Sequence, residues 1–301
     1  LENCEPDSIA QVIIDLLDNE KERNRLAAIS LRQYNSFYSS NIIDREFAEL
    51  IYRPLVPLVH NIKTVHQFHS GTASGDAITN AMFLIRDILR SFGLNSEIFA
   101  EHIAPELKDE ILLHHSMGTD LDSWIASLSC TICLVYHNIT PSKFFAEGTN
   151  LHHYTMKGRV QLLDYRTKCS AAISDSRTNA DELIEAGYGN VETIPLLFDL
   201  KARIKAKFNT SLVLNNSLRI TILFVGRVTR HKCQREFIPL ALALKKIMII
   251  PFQIVLVGEA QKNDPYVVDI ITDIEIFGLK DFVKLTGKIP DEDLLAWYRI
   301  A

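Results

Sequence analysis

Three short stretches of this 301-residue chain combine residue types at spacings that could do chemistry. The first is Phe224-Val225-Gly226-Arg227-Val228-Thr229-Arg230-His231-Lys232, an apolar run that ends at a glycine and enters a cationic loop. Gly226 lets a chain leaving a strand turn tightly. Arg227 offers a planar fork of donors and Lys232 a point charge, a pair suited to gripping a diphosphate. Arg230 and His231 add positive character. The alternative is a solvated basic loop, and it is the weaker reading because open α/β sheets bind ligands at the carboxyl ends of their strands.

The second stretch is Val135-Tyr136-His137-Asn138-Ile139-Thr140-Pro141, where an apolar run gives way to a polar loop. An imidazole at a strand end can hydrogen-bond a sugar hydroxyl or stabilise developing charge. Equally, His137 could be satisfied within a turn that Pro141 shapes. His114 and His115, followed by Ser116-Met117-Gly118, form a similar but weaker pair, and His152 and His153 have no matching strand position. The third stretch is His69-Ser70-Gly71-Thr72-Ala73-Ser74-Gly75-Asp76. Glycines at a strand–helix turn let backbone approach an anion, which the free N–H groups of the following helix attract. A plain tight turn has the same signature. The spacing is not that of the dinucleotide fingerprint, and no acidic residue closes a following strand, so a nicotinamide dehydrogenase is disfavoured. The histidines show no zinc-ligand spacing. Cys130 and Cys133 form a C-x-x-C, but within an apolar run and with no second pair. They read as core cysteines in a reducing, cytoplasmic protein.

The elements that would position these stretches follow from periodicity. Residues 7–51 read as helix throughout, with Asp7 or Ser8 as a cap, and Arg53-Pro54-Leu55-Val56-Pro57 reads as a linker. Strands are predicted over 63–68, 96–100, 109–114, 131–136, 171–174 and 191–194, with helices over 77–92 and 179–185 stopped by Gly93 and Gly187. Residues 209–216 are polar and read as a loop and hinge. A second series gives strands at 220–225, 252–257 and 282–285, helices at 235–247 and 266–277, and a last helix from Asp291. Alternation of this kind implies parallel sheets with helices on both faces. A doubly wound sheet normally has more than three strands, so the second series is expected to be truncated. The expected organisation is therefore 1–57 helical segment and linker, 58–213 first α/β domain, and 214–301 the start of a second.

Charge and composition exclude other classes. There are 32 basic and 37 acidic residues and no basic run, which argues against nucleic acid as a partner. No apolar stretch approaches membrane-spanning length, leaving at most peripheral membrane association. No signal peptide is visible at Leu1.

With two Rossmann-like series and Gly226-Arg227 … Lys232 in place, the chain resembles glycosyltransferase family 4, retaining enzymes of the GT-B fold. The fold so implied is α/β, two Rossmann-like domains of GT-B type, the second truncated and the first preceded by helices. The resemblance implies that Arg227 and Lys232 neutralise the diphosphate of a nucleotide-sugar donor, a co-substrate rather than a cofactor. It places Gly226 at the donor turn and Cys233 where the family usually has glycine. It places Gly71, Gly75 and Asp76 beside donor phosphates and acceptor, His137 beside the transferred sugar as a catalytic residue, and Gly287, Lys288 and Ile289 near the nucleotide base. No metal site is implied. The implied activity is hexosyl transfer to a glycan or lipid-linked glycan in surface-polysaccharide assembly. The family's paired glutamates would lie beyond Ala301, so no catalytic carboxylate is named, and a chain ending there is expected to be inactive. Glu5-Pro6-Asp7-Ser8-Ile9-Ala10 resembles the helices that end such a domain, which points to the tail of a preceding unit in a tandem protein. A non-catalytic glycan- or partner-binding module and a sugar-nucleotide epimerase are the alternatives.

Overall fold

A computed structural model describes residues 5–37, 64–71, 76–100 and 109–301. The chain divides into two compact units, Ser30–Asp199 and Leu200–Ala301, the latter joined by Leu1–Ile29. The expected helix over 42–52, the proline linker and Gly75 lie outside the described residues.

Helix α1 spans Pro6–Asp18 and α2 spans Glu20–Phe37. Glu5, not Asp7 or Ser8, stands at the cap of α1, and Pro6 takes the first helical position, where a missing N–H costs nothing. In the unit of Ser30–Asp199 the order is β1 (Val65–Phe68), α3 (Ala77–Ser91), β2 (Ile98–Phe99), β3 (Glu110–His115), α4 (Asp122–Ser127) and β4 (Ile132–Tyr136). It continues with α5 (Asn150–Tyr165), β5 (Cys169–Ser174), α6 (Arg177–Glu185) and β6 (Val191–Thr193). The strands form one parallel sheet in the order β2-β1-β3-β4-β5-β6. Every residue of β1, β3 and β4 is buried, as a sheet covered on both faces requires. The order reverses between β2-β1 and β3, and such a switch point opens a crevice at the carboxyl ends of β1 and β3.

The second unit contains α7 (Leu200–Lys205), α8 (Thr210–Asn216), β7 (Ile220–Val225), α9 (Phe237–Ile247), β8 (Phe252–Val257), α10 (Pro265–Ile276), β9 (Val283–Gly287) and α11 (Asp291–Ile300). Its strands are parallel, in the order β7-β8-β9. Ala10 of α1 is buried in the same cluster as Leu240, Ala241 and Leu244 of α9, with Ile9 and Ile13 beside it. That contact explains why α9 is apolar nearly all round: one side faces the sheet and another faces α1.

Residues 209–216, expected as a loop, fold as α8. Asn209 caps the helix by accepting from Leu212 N at 3.0 Å, and its amide donates to Asp293 of α11 at 2.8 Å. Leu212 packs with Trp297 and Leu294. A polar composition concealed a short helix whose Leu212 packs against α11 while Leu214 stays exposed. The long helix α5 was missed for a related reason, since its apolar and polar residues are mixed around the axis.

Helix α5 locks the loop after β3 through glycines. A side-chain carbon on Gly158 would stand 2.6 Å from the backbone nitrogen of Gly118, and the reverse substitution clashes equally. Gly118 N donates to Tyr154 O at 2.8 Å, and Gln161 bonds both the N–H and the carbonyl of Thr119. Gly158→Ala is therefore expected to lose about 1–3 kcal/mol of stability, the scale of overpacking, in urea denaturation.

Glu110 opens β3 at the end opposite the histidines. Burial pushes its carboxyl up to about 7, and Oε2 has no hydrogen-bond partner among the described residues. The fold therefore prefers the neutral acid, while the unfolded chain ionises it near 4.5. Stability from this group is full below the unfolded value, falls as pH rises towards about 7, and then levels off. Glu110→Gln should gain on wild type in thermal melts at pH 8 relative to pH 4.5; an equal gap at both pH values would contradict this.

Candidate functional site

Parallel strands deliver their carboxyl ends to one edge of each sheet, and the candidate residues gather at those edges. In the unit of Ser30–Asp199, β1, β3 and β4 bring His69, His114, His115 and His137 together with Gln67, Ser116 and Asp175. Gln67 donates to the carbonyl of Met82 at 3.0 Å, and its Oε1 lies 3.1 Å from His114 Nε2. His114 Nδ1 lies 2.8 Å from His137 Nε2, the two rings stacked within 5° of parallel. His137 Nδ1 then faces Asp175 Oδ2 at 3.6 Å, too long for a hydrogen bond. His69 bonds the carbonyl of Gly71 and the hydroxyl of Ser116, the latter at 3.0 Å. His115 Nε2 donates to the carbonyl of Gly158 at 2.9 Å.

Burial dominates the electrostatics. It holds His114 well below the ordinary imidazole value, with His137 and His69 adding to the effect, and it brings His115 to about 4. His69 is lowered too, again chiefly by burial. These rings are neutral hydrogen-bonding groups rather than charges. A small, open, mainly apolar pocket of about 20 Å³ lies beside His137 and Asp175, walled by Ile85, Leu112, Val135, Ile173 and Leu197.

The loop carrying His137 is held from outside the sheet. Asn138 takes a positive φ of 71°, a conformation that asparagine tolerates better than most residues. Arg159 of α5 donates to the carbonyl of Ile139 and pairs with Glu182 of α6, which accepts from Tyr136 at 2.7 Å. The imidazole of His137 is only 3% exposed, with Nε2 already engaged. Its position is the expected strand end, but its ring turns inward instead of standing open to a ligand.

Asp76 and Gly71 also have structural employment. Asp76 caps α3, its carboxylate accepting from Thr79 N at 2.9 Å. A carboxylate there uses the N–H groups that an anion would need and repels the anion itself. Gly71 accepts from His69, and a side-chain carbon on it would meet nothing among the described residues.

In the second unit the carboxyl ends of β7, β8 and β9 carry Gly226, Gly258 and Gly287. Gly226 N donates to Val257 O at 2.8 Å, and Gly258 N to Gly287 O at 3.1 Å. A side-chain carbon on Gly258 would overlap the carbonyl of Gly226, so only glycine lets these two strand ends approach. Lys288 and Ile289 follow Gly287, which takes a φ of 71°, and Ile289 packs beside Trp297 and Leu294. The loop after Gly226 is pinned by Gln234, which is fully buried, donates to Arg227 O at 2.9 Å and accepts from Thr229 N at 3.2 Å. Arg227 and Lys232 are exposed, and neither is ion-paired among the described residues. Burial first, then the charges of Lys232 and Arg227, lower His231, which places it in the field of both cations. Arg230, by contrast, lies over the ring of Tyr266.

Sequence reasoning missed Gln67, Asp175, Arg159 and Gln234. Asp175 had a usable signal, since it follows an apolar strand just as His137 does. Gln67 is a polar residue within a buried strand. Arg159 and Gln234 carry no local mark, because their partners are distant in sequence or set by a short irregular turn.

No protein-family model matches the chain, and no curated protein matches it. Among solved structures, a glycosyltransferase from Rickettsia africae ESF-5 superposes with a TM-score of 0.50 at 11% identity, covering 80% of this chain and 72% of that one. Sucrose-phosphate synthase from Thermosynechococcus elongatus gives 0.49 at 13%, covering 79% and 74%. A glycosylation-associated protein complex from Streptococcus agalactiae gives 0.36 at 14%, covering 72% and 39%. The fold is α/β with parallel, Rossmann-like sheets of GT-B type, with a helical segment at the N-terminus. No helix among the described residues is long and apolar enough to cross a membrane.

Cys233 sits at φ 55° and ψ 32°, in the left-handed region where a side-chain carbon is strained. Cys233→Gly should relieve that strain and raise stability by about 1 kcal/mol in chemical denaturation. A loss of stability would show that the thiol contributes more than its backbone costs.

Proposed function

We propose that this chain is part of a retaining glycosyltransferase of family 4 that takes a sugar from a nucleotide donor. The acceptor is a glycan or lipid-linked glycan, in the assembly of a surface polysaccharide. The observation that carries this reading is the pair Arg227 and Lys232: exposed, without acidic partners among the described residues, and held at the end of a parallel strand by the buried Gln234. Two uncompensated cations at that place suit a diphosphate, whose charge grows as the sugar–phosphate bond breaks. Arg227 would bind two phosphate oxygens through its fork, and Lys232 would add a point charge. Gly226 keeps the backbone low enough for the phosphates to approach. The loop of Gly287, Lys288 and Ile289 would meet the nucleotide base. The inward-facing His137 and its neighbours would line the acceptor-side unit.

The binding-module alternative has one observation in its favour. The ring nitrogens of His137 face His114 and Asp175 inside the fold, as in a structural network. Turnover of a nucleotide-sugar by the intact protein, with release of nucleoside diphosphate, separates the two readings.

Calorimetric titration with uridine, guanosine and adenosine diphosphates should find at least one that binds, and Arg227→Ala should weaken it by about 1–3 kcal/mol, the scale for charged hydrogen bonds. Equal affinity in the variant would sink the proposal. Binding should also raise the titration point of His231, because a diphosphate reverses the field of Lys232 and Arg227 that now lowers it. Histidine resonances followed against pH, with and without the nucleotide, test that direction.

A further inference from the structure

The strand-end histidines contain a directional hydrogen-bond chain that fixes which atom of His137 is left for chemistry. It starts at the carbonyl of Met82, which can only accept. Gln67 must therefore turn its amide N–H towards Met82, at 3.0 Å, and its oxygen towards His114. That oxygen accepts in turn, so the proton of His114 sits on Nε2, 3.1 Å away. His114 is wholly buried beside two other imidazoles and is neutral. Its Nδ1 is then a bare acceptor, and the atom facing it at 2.8 Å, His137 Nε2, must be the donor. One polar atom of His137 remains. This is Nδ1, buried, without a hydrogen-bond partner among the described residues, and 3.6 Å from Asp175 Oδ2.

Asp175 is held from behind in the same manner. Its other oxygen accepts from the amide of the buried Asn179 at 2.5 Å, which leaves Oδ2 as the oxygen facing the imidazole. Both members of the pair border the apolar pocket.

We propose that Gln67 and His114 are positioning residues: they commit Nε2 of His137 to the interior and leave Nδ1, with Asp175, as a pair that can hold one proton at the pocket. With the ring neutral, Nδ1 is an acceptor beside a carboxylate. With one proton added, Nδ1–H faces that carboxylate across 3.6 Å, and a small approach of the two side chains closes the hydrogen bond. The use of this pair in sugar transfer rests on the function proposed above; the proton arrangement stands on the hydrogen bonds alone.

Long-range nitrogen–proton NMR of the nitrogen-15-labelled protein reads the arrangement directly, with the His137 signals assigned by their loss in His137→Gln. Wild-type His137 should carry its proton on Nε2, whether or not Nδ1 is also protonated, with roughly tenfold or more excess over the opposite neutral tautomer. A neutral ring protonated at Nδ1 alone overturns the proposal. Gln67→Met should let the proton of His114 move to Nδ1, and His137 should then switch to the Nδ1–H form, an effect relayed across an intervening side chain. An unchanged His137 tautomer in folded Gln67→Met would equally overturn it. His114→Met, which removes the acceptor itself, should produce the same switch if Gln67→Met does not fold. Neither variant should change nucleoside diphosphate affinity. Failure of the Arg227 test and failure of the tautomer test are thus separate results.

Discussion

A parallel sheet covered on both faces leaves its polar business to one edge. Each strand of this chain runs the same way as its neighbours within its sheet, so every strand exits at the same end. The central strands β1, β3, β4 and β8 are buried along their whole length. A polar side chain inside them must pair with another or lose the strength of a hydrogen bond, and polar side chains just past them meet in a cluster. Gln67, His114 and His115 illustrate the first case, and His69, Ser116, His137 and Asp175 the second. The glycines are the same constraint expressed through backbone: a side-chain carbon on Gly258 would collide with the carbonyl of Gly226, and Gly287 takes a positive φ.

The two units answer that constraint in opposite electrostatic ways. In the unit of Ser30–Asp199 the strand-end groups are neutralised by burial and by one another, and the carboxylate of Asp76 closes the helix N-terminus that an anion would otherwise occupy. In the unit of Leu200–Ala301 the strand end carries Arg227 and Lys232 without acidic partners among the described residues, and the chain spends a buried glutamine on holding their loop. An anion therefore has a reason to bind the second unit, and a neutral, hydrogen-bonding group has a reason to bind the first.

The placement of α1 shows how a fold can use a segment that reads as foreign. Its sequence resembles the closing helices of a domain, and it covers α9, the helix between β7 and β8, within the unit of Leu200–Ala301. Cys233 is a smaller example. It takes a left-handed backbone, a conformation that glycine adopts without strain.

The alternation of apolar strands and amphipathic helices was legible along the chain, because a buried parallel strand is mostly apolar and a surface helix must repeat with its turn. Those periods placed β1, β3, β4, β7 and β8, and with them the strand ends where His137 and Arg227 stand. They failed at α5 and α8, where apolar residues such as Met156, Val160, Leu163 and Leu214 stand exposed and leave no clear stripe. Whether a strand-end group is open or spent was not legible at all. His137 and Arg227 look alike on the page, a polar residue after a hydrophobic run. Only the packed structure turns one ring inward onto His114 and leaves the other side chain in water. Hydrogen-bond partners are chosen by residues tens of positions apart, brought within a few ångströms by the sheet, and no local pattern records that distance.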